Sequence, residues 1–157
     1  MDNRRVLIVL PNLNPGGAER LNLDLVEPLR SHGIDADIFC LVDTGILREE
    51  AEERQFRLFR GGPDVPGIPG RVRGYLIGAA RLARIGRRYD VLVAGMEAIT
   101  PFAVLAAAAL ARRPAVSQLH CMPRALYEQL GAKGRVFSVL TRLFYRRFKW
   151  NTAVTDA

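Results

Sequence analysis

Cysteine, histidine, lysine and tryptophan are scarce in this 157-residue chain: two, two, two and one. Two cysteines, Cys40 and Cys121, are too few for the disulfide framework of a small secreted domain. Cys40 closes an apolar run and is expected as a buried small apolar residue. Cys121 follows His120, yet no other Cys or His stands near in sequence to complete a ligand set. No metal and no cofactor is therefore expected. Long apolar runs are missing as well. The longest, Pro101–Ala111, is alanine-rich and too short to cross a bilayer. Arg4-Arg5 before Val6–Leu10 imitates the basic start of a signal peptide. The apolar part is too short, however, and Pro11 and Asn12 end it. The expectation is a cytoplasmic protein with no cleaved targeting segment. No repeat and no low-complexity segment is present. A hydrophobic content of 49% is ordinary for a globular chain, and the length suits one domain with a real core.

Acidic residues are scarce in one part only. Residues 1–53 hold five Arg and eleven Asp or Glu, a net charge of −6. Residues 54–157 hold eighteen Arg or Lys and five acids, a net charge of +13. A basic half of this kind attracts phosphates, nucleic acid or anionic lipid. Arginine suits phosphate forks, and a GC-rich genome would produce the same preference for it over lysine. Nucleic-acid modules carry aromatic–basic motifs or a recognition helix, and neither signature is found, so no nucleic-acid partner is expected.

Short apolar runs alternate with helical patterns along the chain. Strands are expected at about Arg5–Pro11, Asp35–Val42, Gln55–Arg60, Val91–Ala94, Ala115–Leu119 and Thr152–Thr155. A first helix is expected over Gly17–Ser31, with Leu21, Leu25 and Leu29 on one stripe, a kink at Pro28 and Gly33 as its stop. Asp43-Thr44 offers a cap for a short acidic helix over Gly45–Glu53. Gly61–Gly70 reads as a loop at the mouth of the fold. Helices follow over Arg71–Arg88, carrying Leu76, Ile77, Ala80, Leu82, Ala83 and Ile85, and over Thr100–Ala111 and Gly134–Trp150. Alternation of this kind makes an α/β domain, a parallel sheet with helices on both faces. The last helix is basic and amphipathic. Val136, Leu140, Leu143 and Phe144 either pack on the sheet or face a membrane, while Arg142, Arg146, Arg147 and Lys149 supply positive charge to an anionic lipid surface.

Pro15-Gly16-Gly17-Ala18-Glu19-Arg20 follows the first strand directly. Two glycines leave backbone N–H groups uncovered, and the helix that follows aims its positive end at whatever sits on the loop. This is the build of an anion site. The alternative is a strand–turn–helix junction that needs glycine only for its geometry.

Val6-Leu7-Ile8-Val9-Leu10-Pro11, then Gly16-Gly17-Ala18-Glu19-Arg20, then a helix closing at Ser31-His32-Gly33, resembles the start of family 4 glycosyltransferases. Tyr89–Val93, Pro114–His120 and Thr152–Ala157 match the family's later strands in order. The resemblance covers nearly the whole chain. It implies a Rossmann-like sheet of order 3-2-1-4-5-6, the N-terminal, acceptor-side half of a two-domain GT-B enzyme. Such an enzyme is a retaining, hexosyltransferase-type transferase that moves a sugar from a nucleotide-sugar donor to a glycan or lipid-linked acceptor. The family's second, donor-binding domain carries a pair of glutamates that this sequence lacks, so the chain alone is expected to be inactive.

The resemblance places Gly16 and Gly17 against the donor's diphosphate or transferred sugar. It places His120 near that sugar as the residue of the catalytic centre, in a positioning role. Glu97 and Arg124 are the candidates for acceptor contact. Glu19 reads as a first-turn carboxylate answering the helix dipole, and His32 as a residue favoured at a helix C-terminus. Two other classes share some of these features, a sugar-nucleotide epimerase of the same architecture and a basic nucleic-acid-binding α/β domain.

Overall fold

A computed structural model describes residues 4–97, 99–119 and 146–153 of the chain. Six parallel strands form one sheet: β1 (Arg4–Leu10), β2 (Ile34–Asp43), β3 (Leu58–Pro63), β4 (Val91–Ala94), β5 (Ala115–Leu119) and β6 (Trp150–Ala153). Their order is β3-β2-β1-β4-β5-β6, as expected for a Rossmann-like half. β1 pairs with β2 on one side and with β4 on the other, so the chain reverses its direction of travel across the sheet there.

Alternation within β1 divides the core in two. Leu7 and Val9 join Phe39, Leu41, Leu82, Leu92 and Val104 on one face. Ile8 and Leu10 join Leu23, Val26, Ile38, Cys40 and Leu47 on the other. The second face is covered by α1 (Gly17–Asp24), α2 (Val26–Ser31) and α3 (Leu47–Glu53). The first is covered by α4 (Ile68–Gly86) and α5 (Thr100–Ala111). An all-apolar strand is stable only because both faces are covered. Each fully buried Leu, Ile or Val contributes about 1.5–3 kcal/mol relative to exposure. Cys40 is part of this core, and burial, with Asp43 second, pushes its thiol up to about 12. It is buried, as expected.

β4, α5 and β5 fall where the sequence places them. Other elements differ, each for a local reason. The expected single first helix is two helices that meet at Leu25. A proline ring clashes with the carbonyl four residues back, and four residues before Pro28 is Asp24, where α1 stops. Of the Leu21-Leu25-Leu29 stripe only Leu29 packs against the core: Leu21 is exposed and Leu25 half-buried, while Glu19, Asn22, Leu23 and Val26 are buried. Gly33, at φ 75°, stops α2 as expected, and His32 Nδ1 donates to the Pro28 carbonyl at 2.8 Å. Asp43 and Thr44 do not cap α3, whose N-cap is Ile46 without a side-chain bond. Asp43 is the last residue of β2 and pairs with Arg48 at 2.6 Å.

β3 begins three residues later than expected and takes in Gly61 and Gly62, which read as loop. A Cβ on Gly61 would strike the Leu41 carbonyl, and one on Gly62 the Gly74 carbonyl. These glycines are there for close approach of backbones, which periodicity does not show. Helix α4 does the same from its side. Its buried residues are Gly74, Gly78, Leu82 and Gly86, while Leu76 and Ala80 are exposed. The expected helix over Gly134–Trp150 lies mostly outside the described residues. Its end is a turn at 146–149, and Trp150 already belongs to β6. Phe148 is buried in the core, while Arg146, Arg147 and Lys149 are exposed.

One buried carboxylate locks the amino-terminal half of β2. Asp37 is 1% exposed and accepts a 2.6 Å hydrogen bond from the Tyr89 hydroxyl. Arg30 and Arg57 flank it at 3.6 Å each. Burial first, and the bond to Asp37 second, keep the Tyr89 hydroxyl protonated well above its usual range. Tyr89→Phe removes a bond to a charged group and should cost about 2 kcal/mol in urea denaturation. An unchanged midpoint would show that the two arginines suffice for Asp37. Gly78→Ala should cost about 2 kcal/mol too, because its Cβ meets the Leu41 carbonyl oxygen and the helix must lift. A variant as stable as the parent would contradict that contact.

Candidate functional site at the carboxyl edge of the sheet

Ligands of open parallel sheets sit beyond the carboxyl ends of the strands, where strand order reverses. Here that point lies between β1 and β4. The loop after β1, residues 11–16, is anchored before it reaches the glycines. Val42 N–H donates to the Pro11 carbonyl at 2.9 Å and Leu13 N–H to the Thr44 carbonyl at 2.9 Å. Leu47 N–H donates to the Leu13 carbonyl at 3.1 Å. Leu13 is 1% exposed and plugs the core beneath the loop. Gly45, at φ 115°, lies so close that a Cβ would overlap the Leu13 backbone. Asn12 Oδ1 accepts from Asn14 N–H at 2.9 Å, a local turn that rigidifies the approach.

Gly16 and Gly17 are both exposed beyond this anchored stretch. Gly16 caps α1 in an ordinary extended conformation, with φ −161° and ψ 162°. A Cβ on Gly16 would meet only the Glu19 carboxylate, the far end of a flexible side chain. A Cβ on Gly17 would meet nothing within 4 Å. The fold therefore requires glycine at neither position. Glu19 is the third residue of α1, 9% exposed, with its carboxylate folded back over the helix start. It answers the dipole from within, as expected.

Asn22 fastens this helix to the far side of the crevice. It is fully buried, and its Nδ2 donates to the Ala18 and Gly95 carbonyls at 2.8 Å each. Gly95 in turn donates its N–H to the Val9 carbonyl at 2.9 Å. A Cβ on Gly95 would lie 2.7 Å from Asn22 Oδ1 and 2.9 Å from Leu10 Cδ2. Sequence reading passed over Asn22 and placed Gly95 at this rim without giving it a role. The available signal was a carboxamide one residue before Leu23 on the helix, opposite a glycine that follows an apolar strand.

Glu97 follows two residues after Gly95, half-buried and engaged in an interaction of its own. The structure thus brings Gly16, Gly17 and Glu97 to the two sides of one edge. β5 runs to the same edge and ends at Leu119. His120 and Arg124 lie outside the described residues.

A cavity of about 280 Å³ opens on this edge, on the β2–β3 side of the glycine loop. Asn12, Asn14, Thr44, Asp64, Arg71 and Tyr75 line it. None of these was singled out from sequence, because they come from three loops and a helix. A larger hollow of about 610 Å³ lies at the opposite end of β5, between alanines of α5 and the cations Arg113, Arg147 and Lys149. It is remote from the crevice. Among the described residues no three His, Cys, Asp or Glu side chains are grouped to hold a metal ion, and no helix is long and apolar enough to cross a membrane.

Solved structures share this arrangement. HepE from Anabaena, in complex with UDP and glucose, superposes with a TM-score of 0.71 at 21% identity, over 94% of this chain and 37% of that one. The same protein with UDP-glucose gives 0.71 at 20%, over 94% and 36%. MurG from Acinetobacter baumannii gives 0.64 at 12%, over 98% of this chain and 42% of that one. The chain thus spans well under half the length of these proteins, and the likeness is one of fold. No curated protein sequence gives a significant match. The model of the glycosyl transferase 4-like domain matches residues 16–157, from the first glycine of the loop to the last residue. With the expected strand order observed and the glycine loop at the switch point, this chain belongs to the glycosyl transferase 4-like domain family.

Proposed function

We propose that the chain is the acceptor-side half of a retaining glycosyltransferase that moves a hexosyl unit from a nucleotide sugar to a glycan or lipid-linked acceptor. One observation carries this. Gly16 and Gly17 are bare at the switch point although neither backbone angle nor packing requires glycine there. A side chain is absent where an incoming ligand needs the room. Glu19 already opposes the helix dipole, so the surface suits the hydroxyls of the transferred sugar better than its diphosphate. The neighbour HepE was solved with UDP-glucose, which supports a uridine nucleotide sugar as the first donor to try. A further domain holds most of the donor in this reading. In this reading Glu97 is an acceptor contact, and Arg124 and His120 keep the roles that the resemblance implies, His120 by positioning the sugar. Retention does not require a protein base of the inverting kind.

The test uses the full-length enzyme with a panel of UDP-, GDP- and ADP-sugars. Gly17→Ala should stabilise the fold by up to about 1 kcal/mol, since alanine lowers the entropy of the unfolded chain and meets open space. Gly17→Val should leave thermal stability near the parent's and lower turnover at least tenfold. Parent-level turnover in both variants removes the glycine loop from the site.

A membrane-facing role has its own support, and it moves from the late helix to α4. Ile68, Val72 and Leu76 recur every fourth residue and are 79%, 52% and 66% exposed. Between residues 65 and 89 the chain has six arginines and no acid. An apolar stripe flanked by arginine suits an anionic lipid surface, each well-placed cation contributing about 1 kcal/mol and fading within a Debye length. Co-sedimentation of the full-length enzyme with phosphatidylglycerol vesicles should fall with added salt and fall further in Val72→Ser with Leu76→Ser. Absence of binding at low salt sinks the membrane reading and leaves a soluble acceptor.

A further inference from the structure

We infer that the cavity bounded by the loops after β1, β2 and β3 is a subsite for one uncharged pyranose unit, the sugar of the acceptor. The inference rests on the glycosyltransferase reading above for the word acceptor, and on the cavity alone for the word pyranose.

The cavity is built, and glycines build it. Gly70 and Gly74 are one turn apart on α4. A Cβ on Gly70 would lie 2.7 Å from Val65, and one on Gly74 would lie 2.5 Å from the Pro63 carbonyl. The start of α4 therefore rests directly on the end of β3 and the loop after it. Arg71 and Tyr75, each one residue beyond those glycines, come to the strand ends together. The opposite wall is Asn12, Asn14 and Thr44, held by the backbone bonds between the loops after β1 and β2.

The wall chemistry selects the ligand. Among the described residues, the side chains of Asn14, Thr44, Asp64, Arg71 and Tyr75 make no hydrogen bond or ion pair within the protein. Asp64 only accepts and Arg71 only donates, while Asn14, Thr44 and Tyr75 do both. Asp64 and Arg71 form no ion pair with each other, so neither charge satisfies the other directly. A phosphate or carboxylate presents acceptors alone, and what it gains from Arg71 is opposed by Asp64. Vicinal hydroxyls each donate and accept, and they match such a mixed wall. The half-buried Tyr75 ring offers an apolar surface for the C–H face of a sugar. A volume of about 280 Å³ lies at the lower end for ligand pockets, which suits a single ring and not a nucleotide. Asn12 and Asn14 belong to the same loop that carries Gly16, so this cavity adjoins the crevice, and the sugar here is assigned to the acceptor as a unit next to the one that Glu97 would meet.

The experiment is saturation-transfer NMR on the full-length protein without donor. The probes are methyl glucoside, methyl mannoside and methyl galactoside, with methyl glucuronide and glucose 6-phosphate as charged counterparts. At least one neutral glycoside should receive transfer, and the charged probes should bind at least tenfold more weakly. Tyr75→Ala and Asn14→Ala should each weaken the neutral probe about fivefold. Asp64→Asn should narrow the discrimination against the charged probes. Tyr75→Phe, which keeps the ring, should fall between the parent and Tyr75→Ala. Tighter binding of a charged probe to the parent overturns the proposal, as does the absence of any neutral-glycoside signal sensitive to Tyr75. Nucleotide-sugar turnover is measured separately. Glycoside binding without any turnover would keep the subsite and overturn the transferase reading.

Discussion

A single buried carboxamide sets the geometry of the carboxyl edge. Asn22 joins the Ala18 and Gly95 carbonyls, and so joins the start of α1 to the end of β4. In a parallel sheet the strands on either side of the switch point send their helices to opposite faces, which leaves a crevice between them. Nothing in sheet hydrogen bonding determines how wide that crevice is. Asn22 determines it here, with Gly95 fitting closely beneath. A buried amide donor left unpaired would cost about 1–3 kcal/mol, so the two carbonyls and the side chain hold one another in place.

Glycine sets how closely β3 and α4 lie against β2. Gly61, Gly62, Gly74 and Gly78 each bring a backbone within reach of another that a Cβ would keep away. Gly45 does the same between the loops after β1 and β2. Gly16 and Gly17 differ in kind, since no neighbour presses on Gly17 and only a flexible carboxylate approaches Gly16. This difference separates glycines that the packing requires from glycines that it does not. Residue identity alone does not make the distinction.

The uneven charge of the chain has a spatial meaning. The acids of the first part are largely matched on the α1–α3 side. Arg54 bonds Asp24 at 2.7 Å and Glu27 at 3.2 Å and lies over the Phe56 ring at 4.7 Å. Arg20 meets Glu50 at 3.1 Å and Arg48 meets Asp43 at 2.6 Å. Across the sheet, α4 has arginines and no acids, and its exposed arginines add positive charge beside an apolar stripe. Exposed pairs of this sort add little stability. The asymmetry therefore bears on what the surface meets more than on whether the chain folds.

By itself the sequence determined the alternation of strands and helices, the parallel sheet, its order through the family resemblance, and the glycine loop after β1. β4, α5 and β5 were legible to the residue, because short apolar runs and an alanine-rich helix need no distant partner to be recognised. The break at Leu25 was visible only as a misplaced kink, since the effect of Pro28 falls four residues upstream. Gln55–Arg60 read as a strand because it alternates, whereas β3 runs Leu58–Pro63 because its glycines sit against Leu41 and Gly74. Of the candidate site, the place of Gly16, Gly17 and Glu97 at the carboxyl edge could be expected in advance, and His120 and Arg124 rest on the resemblance alone. Asn22, Thr44, Asp64, Arg71 and Tyr75 could not be named, nor could the part of Gly95. Their meaning comes from residues up to 73 positions away that the fold brings together, as Asn22 is brought to Gly95. Periodicity reports which face a residue shares with its near neighbours. Only the tertiary structure decided which backbones touch, and therefore where a cavity is left.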